Sequence, residues 1–67
     1  MSPKRLRRVL KTLREGKGLT QAELAKKAQV TQSYVAMLEG GEKQNPSLAI
    51  LQRLAKALGV PVTALLE

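Results

Sequence analysis

Apolar residues recur along the chain at the three- and four-residue spacing of an amphipathic helix. In the first segment, expected over residues 3–15, they are Leu6, Val9, Leu10 and Leu13. Four later segments carry the apolar sets Leu24-Ala25-Ala28, Val35-Leu38, Leu51-Leu54-Ala55-Leu58 and Val62-Leu65-Leu66. No stretch shows the alternation that is typical of a β-strand. The pattern predicts one all-α domain, residues 1–67, built from five short helices.

Capping residues predict the helix boundaries. Thr20 with Glu23 has the capping-box form, and Thr31 and Ser47 are the N-cap residues expected for the third and fourth helices. The expected helix ends lie at Gly16, near Ala28, at Gly40–Gly41 and, for a fourth helix over 48–57, before Gly59. Pro61 is expected to open the last helix.

The second and third predicted helices are separated by a short turn, as in a helix-turn-helix unit. At about 100° per residue, four residues share the side of the third helix opposite Val35 and Leu38: Gln32, Ser33, Ala36 and Met37. None of them is charged. Amide and hydroxyl groups can read base edges in the major groove, and Ala or Met can touch a thymine methyl group. A partner-facing or accidental apolar patch is the alternative interpretation of Ala36 and Met37.

The charge indicates the class of partner. The chain has twelve Lys and Arg residues and five Glu, which gives a net charge of +7. Residues 1–17 contain seven of the basic residues and one acidic residue. A basic end on a near-neutral body suits nucleic acid or an anionic membrane. The apolar stripe of the first helix is needed for the core, and one tyrosine, Tyr34, cannot build the aromatic platform on which RNA-binding proteins stack bases. Double-stranded DNA is therefore the expected partner.

The chain contains no Cys and no His. This excludes disulfides, zinc fingers and every catalytic scheme that needs a thiol or an imidazole. We expect no enzyme activity, metal, cofactor or small-molecule ligand. No apolar run approaches the ~20 residues of a membrane span, and the start does not resemble a signal peptide. A soluble, cytoplasmic and nucleoid-associated protein is expected.

A set of spaced motifs resembles the phage repressor/Cro family of helix-turn-helix regulators, over nearly the whole chain from Arg14 to Leu66. The matching residues are Leu19-Thr20-Gln21-Ala22-Glu23-Leu24-Ala25, Val30-Thr31-Gln32-Ser33-Tyr34-Val35, Leu38-Glu39, Gly41, Pro46-Ser47 and Ala57-Leu58-Gly59-Val60. The resemblance implies a compact five-helix bundle that binds palindromic operator DNA as a homodimer and acts as a repressor. Antitoxins and adaptor modules share the fold, so a protein–protein module is the alternative function.

The resemblance also implies roles for individual residues. Gln32, Ser33 and Met37 occupy the base-reading positions, with Ala36 on the same face. Phosphate contacts are expected from Thr20, Gln21, Thr31, Lys43, Gln44 and Asn45, and from the basic start of the first helix at Lys4, Arg5 and Arg8. Arg14 and Glu39 would form an ion pair that ties the first helix to the third. Near the C-terminus, Val62, Leu65 and Leu66 are candidates for contact with a second copy, unless some of them fill the core.

Two positions depart from the family pattern. Gln29 stands in the turn where the family commonly has Gly with a positive φ, so we expect a strained but tolerated turn. Met37 stands where many relatives carry a polar or basic residue, which leaves the base preference at that position open.

Overall fold

The computed structural model describes residues 3–42 and 45–66, with side chains from Arg5 onwards. In these ranges the chain forms five helices and no strand. They are α1 Pro3–Gly16, α2 Gln21–Ala28, α3 Gln32–Gly40, α4 Leu48–Leu58 and α5 Thr63–Leu66. The prediction of an all-α five-helix bundle is confirmed.

Side-chain caps fix the starts of α2, α3 and α4. Thr20 Oγ1 accepts from the Glu23 N–H at 3.0 Å, while Glu23 Oε1 accepts from the Thr20 N–H at 2.8 Å, which completes the capping box. Thr31 Oγ1 accepts from the Tyr34 N–H at 3.0 Å, and Ser47 Oγ accepts from the N–H three residues further on at 3.1 Å. All three predicted N-caps are confirmed.

The predicted ends of α2 and α3 are confirmed, and α1 and α4 each end one residue later than predicted. Gln29, Gly41 and Gly59 are the C-caps of α2, α3 and α4, all in the left-handed conformation. The last helix begins at Thr63 rather than at Pro61. The reason is a tight turn before it, because the Pro61 carbonyl accepts from Ala64 N at 2.9 Å, three residues away, instead of starting an α-helical turn.

The core lies where all five helices meet. Its buried members all belong to the apolar sets that the helical spacing predicted: Leu6, Leu10, Leu24, Ala25, Ala28, Val35, Leu38, Leu51, Leu54, Ala55, Leu58 and Leu65. The other members of those sets, Val9, Leu13, Val62 and Leu66, are partly buried and pack against this core. α2 packs against both α3 and α4, and α1 packs against α3 and α5. This packing holds α2 and α3 as one rigid pair and leaves one side of α3 outside.

The expectation that Leu65 contacts a second copy is wrong. Its side chain is 1% exposed, because α5 packs on α1 and α4 and points Leu65 into the core between them. Val62 and Leu66 are half-buried and pack at the edge of the same core. Only these two residues of the predicted contact keep an accessible surface.

No helix in the described part of the chain is both long enough and apolar enough to cross a membrane.

Candidate nucleic-acid interface

A three-residue turn joins α2 to α3. Gln29 has φ 60° and ψ 43°, and its N–H bonds to the carbonyls of Ala25 and Lys26. Val30 N also donates to the Ala25 carbonyl at 3.0 Å and Thr31 then caps α3. The left-handed conformation that the family pattern required is therefore adopted here by a glutamine.

The outward side of α3 contains the four residues predicted to read bases. Gln32 and Ser33 are exposed in the first turn, and Ala36 and Met37 are partly exposed one turn later. Val35 on the opposite side is fully buried in the core. We call these four residues the α3 face. It is an uncharged surface on a helix whose position is fixed by packing against α1 and α2.

The N-terminal ends of α2 and α3 offer further hydrogen-bond donors. Thr20 and Thr31 are exposed, and each hydroxyl oxygen already accepts from a backbone N–H. Each hydroxyl hydrogen remains available to donate. Helix N-termini attract phosphate because their first N–H groups lack intrahelical partners and the helix dipole is positive there.

Gln21 is held at the start of α2 by a hydrogen bond to α3. Its half-buried side chain donates through Nε2 to Glu39 Oε1 at 3.1 Å. An amide nitrogen carries two hydrogens, so one N–H is left after this contact. Sequence reasoning did not foresee this bond, because the two residues are 18 positions apart and nothing local links them.

Arg14 and Glu39 form an ion pair between α1 and α3. Arg14 Nε donates to Glu39 Oε2 at 2.6 Å and Nη2 donates to Oε1 at 3.0 Å, while Nη1 donates to the Leu19 carbonyl at 2.7 Å. Both residues are 9% exposed. The hydrogen bond to Glu39 raises the pKa of Arg14, and burial opposes that shift by disfavouring the charge. The pair is structural, as the resemblance implied, and one carboxylate links α1, α2 and α3.

The remaining basic residues of α1 occupy different environments. Arg5 and Arg8 are exposed, as phosphate contacts require. Arg7 is half-buried, and its guanidinium lies over Gly41 at the end of α3, with Nη1 2.6 Å from the position that a Cβ at Gly41 would take. Sequence reasoning missed this contact. The signal was the seven-residue interval from Arg7 to Arg14, which is close to two helical turns and puts both on the side that meets α3.

The loop after α3 is described only in part. Asn45 is exposed. Lys43 and Gln44, also predicted to contact phosphate, lie outside the described residues, as does the side chain of Lys4. In the part of the chain with defined positions, no three His, Cys, Asp or Glu side chains cluster as metal ligands.

Comparison with known proteins gives the family. The sequence model of the helix-turn-helix family matches residues 10–65. The immunity repressor protein of Bacillus phage phi105 is 43% identical over 56 residues, which are 84% of this chain and 38% of that repressor. The HTH-type transcriptional regulator SinR of Bacillus subtilis is 38% identical over 58 residues, 87% of this chain and 52% of SinR. The chain thus spans about half or less of the length of these two relatives.

Solved structures give the same result in three dimensions. The restriction-modification controller protein C.AhdI of Aeromonas hydrophila matches with a TM-score of 0.89 and 35% identity, over 94% of both chains. SinR, in a crystal structure of a complex with DNA, also matches with a TM-score of 0.89 and 35% identity, over 92% of this chain and 98% of that one. With the family match covering most of its length, this chain belongs to the helix-turn-helix family.

Proposed function

We propose that this domain binds double-stranded DNA in a sequence-specific manner and regulates transcription as a repressor. The observation that carries the proposal is the α3 face, an accessible and uncharged helix side that begins at the N-terminus of α3, with the N-terminus of α2 joined to α3 by the Gln21–Glu39 hydrogen bond. A phage immunity repressor is similar in sequence, and SinR, which is similar in structure, has been crystallised with DNA. A helix in this position of a helix-turn-helix enters the major groove.

The α3 face supplies the chemistry of base reading. Gln32 can bind adenine through two hydrogen bonds, and Ser33 can donate to or accept from either base of a pair. Ala36 and Met37 offer apolar contacts to a thymine methyl group. The α3 face carries no charge, so it lacks the long-range electrostatic attraction for phosphate that a cation has, and selection among sequences rests on its hydrogen bonds and apolar contacts to base edges.

Residues around the α3 face supply affinity without selection. We assign phosphate contacts to Thr20, Gln21 and Thr31 at the helix N-termini, to Lys43, Gln44 and Asn45 in the loop after α3, and to Arg5 and Arg8 on α1. When cationic side chains bind phosphates, they release counterions that were condensed on the DNA. Lys43, Arg5 and Arg8 therefore account for the electrostatic attraction to DNA and for the salt dependence of binding. Contacts of this kind set the register of the protein on the duplex.

We further propose that two copies bind a palindromic operator. One α3 reads about one half-site, and a two-fold dimer places two such helices about one turn of DNA apart. Val62 and Leu66 keep accessible apolar surface at the edge of the core and are the candidate dimer contact. Acting on a chromosome or a phage genome places the protein in the cytoplasm, at the nucleoid.

Selection of bound sites from a random pool of duplex DNA tests this function. We expect an enriched palindrome whose half-sites are centred about one helical turn apart. A matched selection with the Gln32→Ala/Ser33→Ala variant should lose enrichment at defined base positions. The control variant Thr12→Ala/Gln52→Ala, with both changes at exposed positions on other helices, should leave that enrichment intact. Failure of the parent to enrich any sequence would favour the protein–protein module instead.

A further inference from the structure

A cleft of about 500 Å³ lies between the C-terminal part of α2 and the C-terminal half of α4. Its lining residues are Lys27, Ala28, Gln29, Arg53, Lys56 and Ala57. Ala28 is buried and Ala57 half-buried, so two small side chains form the floor, and three exposed cations form the rim. None of the described residues that line the cleft is acidic. We call this feature the α2–α4 cleft.

Lys27 of the α2–α4 cleft lies far from the N-terminus of α2, whereas Arg53 also lines a second pocket with Thr31 at the start of α3. Lys27 follows Gln21 by six residues on α2, which is about 9 Å along the helix axis. The DNA-facing end of α2 is its N-terminus, and the cleft is at the other end. None of the three cations is among the residues assigned to bases or phosphates, so DNA binding leaves this concentration of charge unexplained.

Helix dipoles account for only part of this charge. Lys27 and Lys56 lie in the last turns of α2 and α4, where a cation offsets the partial negative charge of a helix end. Two helix ends carry together roughly one negative charge, whereas three cations surround the cleft. Arg53 lies outside the last turn of α4 and adds positive charge that the helix ends do not neutralise.

The cleft also presents a backbone acceptor. The Gln29 carbonyl accepts from Arg53 Nη2 at the long distance of 3.4 Å. An occupant that fits this lining supplies negative groups for the rim and an N–H donor for the second lone pair of the carbonyl, which the Arg53 contact leaves open. A phosphodiester has acceptors only, but a peptide with acidic side chains has both kinds of group. The volume is in the range of pockets that hold small molecules or a few residues.

We propose that the α2–α4 cleft binds an acidic peptide segment of a partner protein. The carboxylates pair with Lys27, Arg53 and Lys56, a peptide N–H donates toward the Gln29 carbonyl, and the peptide backbone lies over Ala28 and Ala57. The cleft contains none of the α3-face residues. It adjoins the N-terminus of α3, since Gln29 and Arg53 also line a second pocket together with Thr31.

Titration of the ¹⁵N-labelled protein with a short blocked peptide of alternating Glu and Ala, at low salt, tests the proposal. We expect amide shifts concentrated at residues 27–30 and 53–57, and none with a peptide of alternating Lys and Ala. The Arg53→Glu/Lys56→Glu variant should bind the Glu–Ala peptide about tenfold more weakly, since two attractions become repulsions. Lys11→Glu/Lys17→Glu, an equal charge change at exposed positions of α1 and the segment after it, should cost less than about threefold.

Three results would overturn the proposal. One is an equal loss in the two double variants, which would mean that net charge alone attracts the peptide. Another is unweakened binding of the N-methylated peptide, which keeps the carboxylates but lacks N–H donors for the Gln29 carbonyl. The third is a loss of duplex DNA affinity that is much larger for Arg53→Glu/Lys56→Glu than for Lys11→Glu/Lys17→Glu, because the cleft would then be part of the DNA surface. Circular dichroism checks that both variants remain folded.

Discussion

Glu39 on α3 accepts hydrogen bonds from both Arg14 of α1 and Gln21 of α2. Arg14 Nε reaches Glu39 Oε2 at 2.6 Å, and Gln21 Nε2 reaches Glu39 Oε1 at 3.1 Å. The carboxylate therefore has two functions. It neutralises a buried cation, and it orients the amide at the N-terminus of α2 so that the second N–H of Gln21 is left for another acceptor. The stability of the bundle and the geometry of the proposed DNA interface share this contact.

Replacing one member of the ion pair should be far more damaging than replacing both. Arg14→Met leaves the carboxylate of Glu39 buried without its cation, which we expect to lower the free energy of unfolding by about 3–5 kcal/mol. The double variant Arg14→Met/Glu39→Met buries no charge and should recover most of that loss. Urea unfolding followed by circular dichroism measures both. A double variant as unstable as the single one would show that packing, rather than the stranded charge, dominates.

The domain should become more stable when the backbone strain at Gln29, in the turn between α2 and α3, is removed. Gln29 has φ 60°, a conformation that costs a non-glycine residue roughly 1 kcal/mol. Gln29→Gly removes that strain but makes the unfolded chain more flexible, so we expect a gain of between zero and about 1 kcal/mol. Thermal unfolding gives the sign. Gln29→Val, β-branched and unable to relax there, is the matched control and should destabilise the domain; a clear loss with Gly would contradict the strain argument.

Local signals in the sequence predicted most of the fold. Thr20, Thr31 and Ser47 act through N–H groups only three residues away, so their caps can be recognised without knowledge of the tertiary structure. Helical spacing likewise placed Leu24 and Val35 in the core. The position of Gln29 at a positive φ followed from the family pattern, which fixes the turn even where the residue is not Gly.

Contacts between distant residues were less accessible to the sequence. Leu65 and Leu66 are adjacent and chemically identical, and only the packing of α5 on α1 decides that Leu65 is the buried one. The contact of Arg7 with Gly41 and the bond from Gln21 to Glu39 depend on how α3 sits against α1 and α2. The α2–α4 cleft arises from residues that are 24 or more positions apart, such as Gln29 and Arg53, and has no motif.

Base reading by Gln32 should appear as a position-specific loss. On the best site from the DNA selection, Gln32→Ala should weaken binding by about 1–3 kcal/mol and relax the preference at one base pair in each half-site. Gln52→Ala, an equal truncation of an exposed glutamine on α4, should change neither affinity nor preference. Electrophoretic mobility shifts with a panel of single-base variants of the site measure both effects. An equal fall on every sequence would mean that Gln32 contacts the backbone of DNA instead of a base.

Removing a charged side chain that contacts phosphate should change the salt dependence of DNA binding, whereas removing a neutral one should not. Arg8 is exposed on α1, and if its cation binds a phosphate, Arg8→Ala should make the slope of log K against log[salt] shallower by about 0.9 for each copy of the protein bound. Gln21 is neutral, so Gln21→Ala should weaken binding to all sequences at every salt concentration and leave the slope unchanged. Lys11→Ala, which removes an exposed cation with no assigned contact, is the control for net charge. Fluorescence anisotropy over a salt series measures the slopes. Equal slopes for the parent and Arg8→Ala would show that Arg8 does not contact phosphate. A shallower slope for Gln21→Ala would mean that loss of Gln21 displaces neighbouring cations from their phosphates.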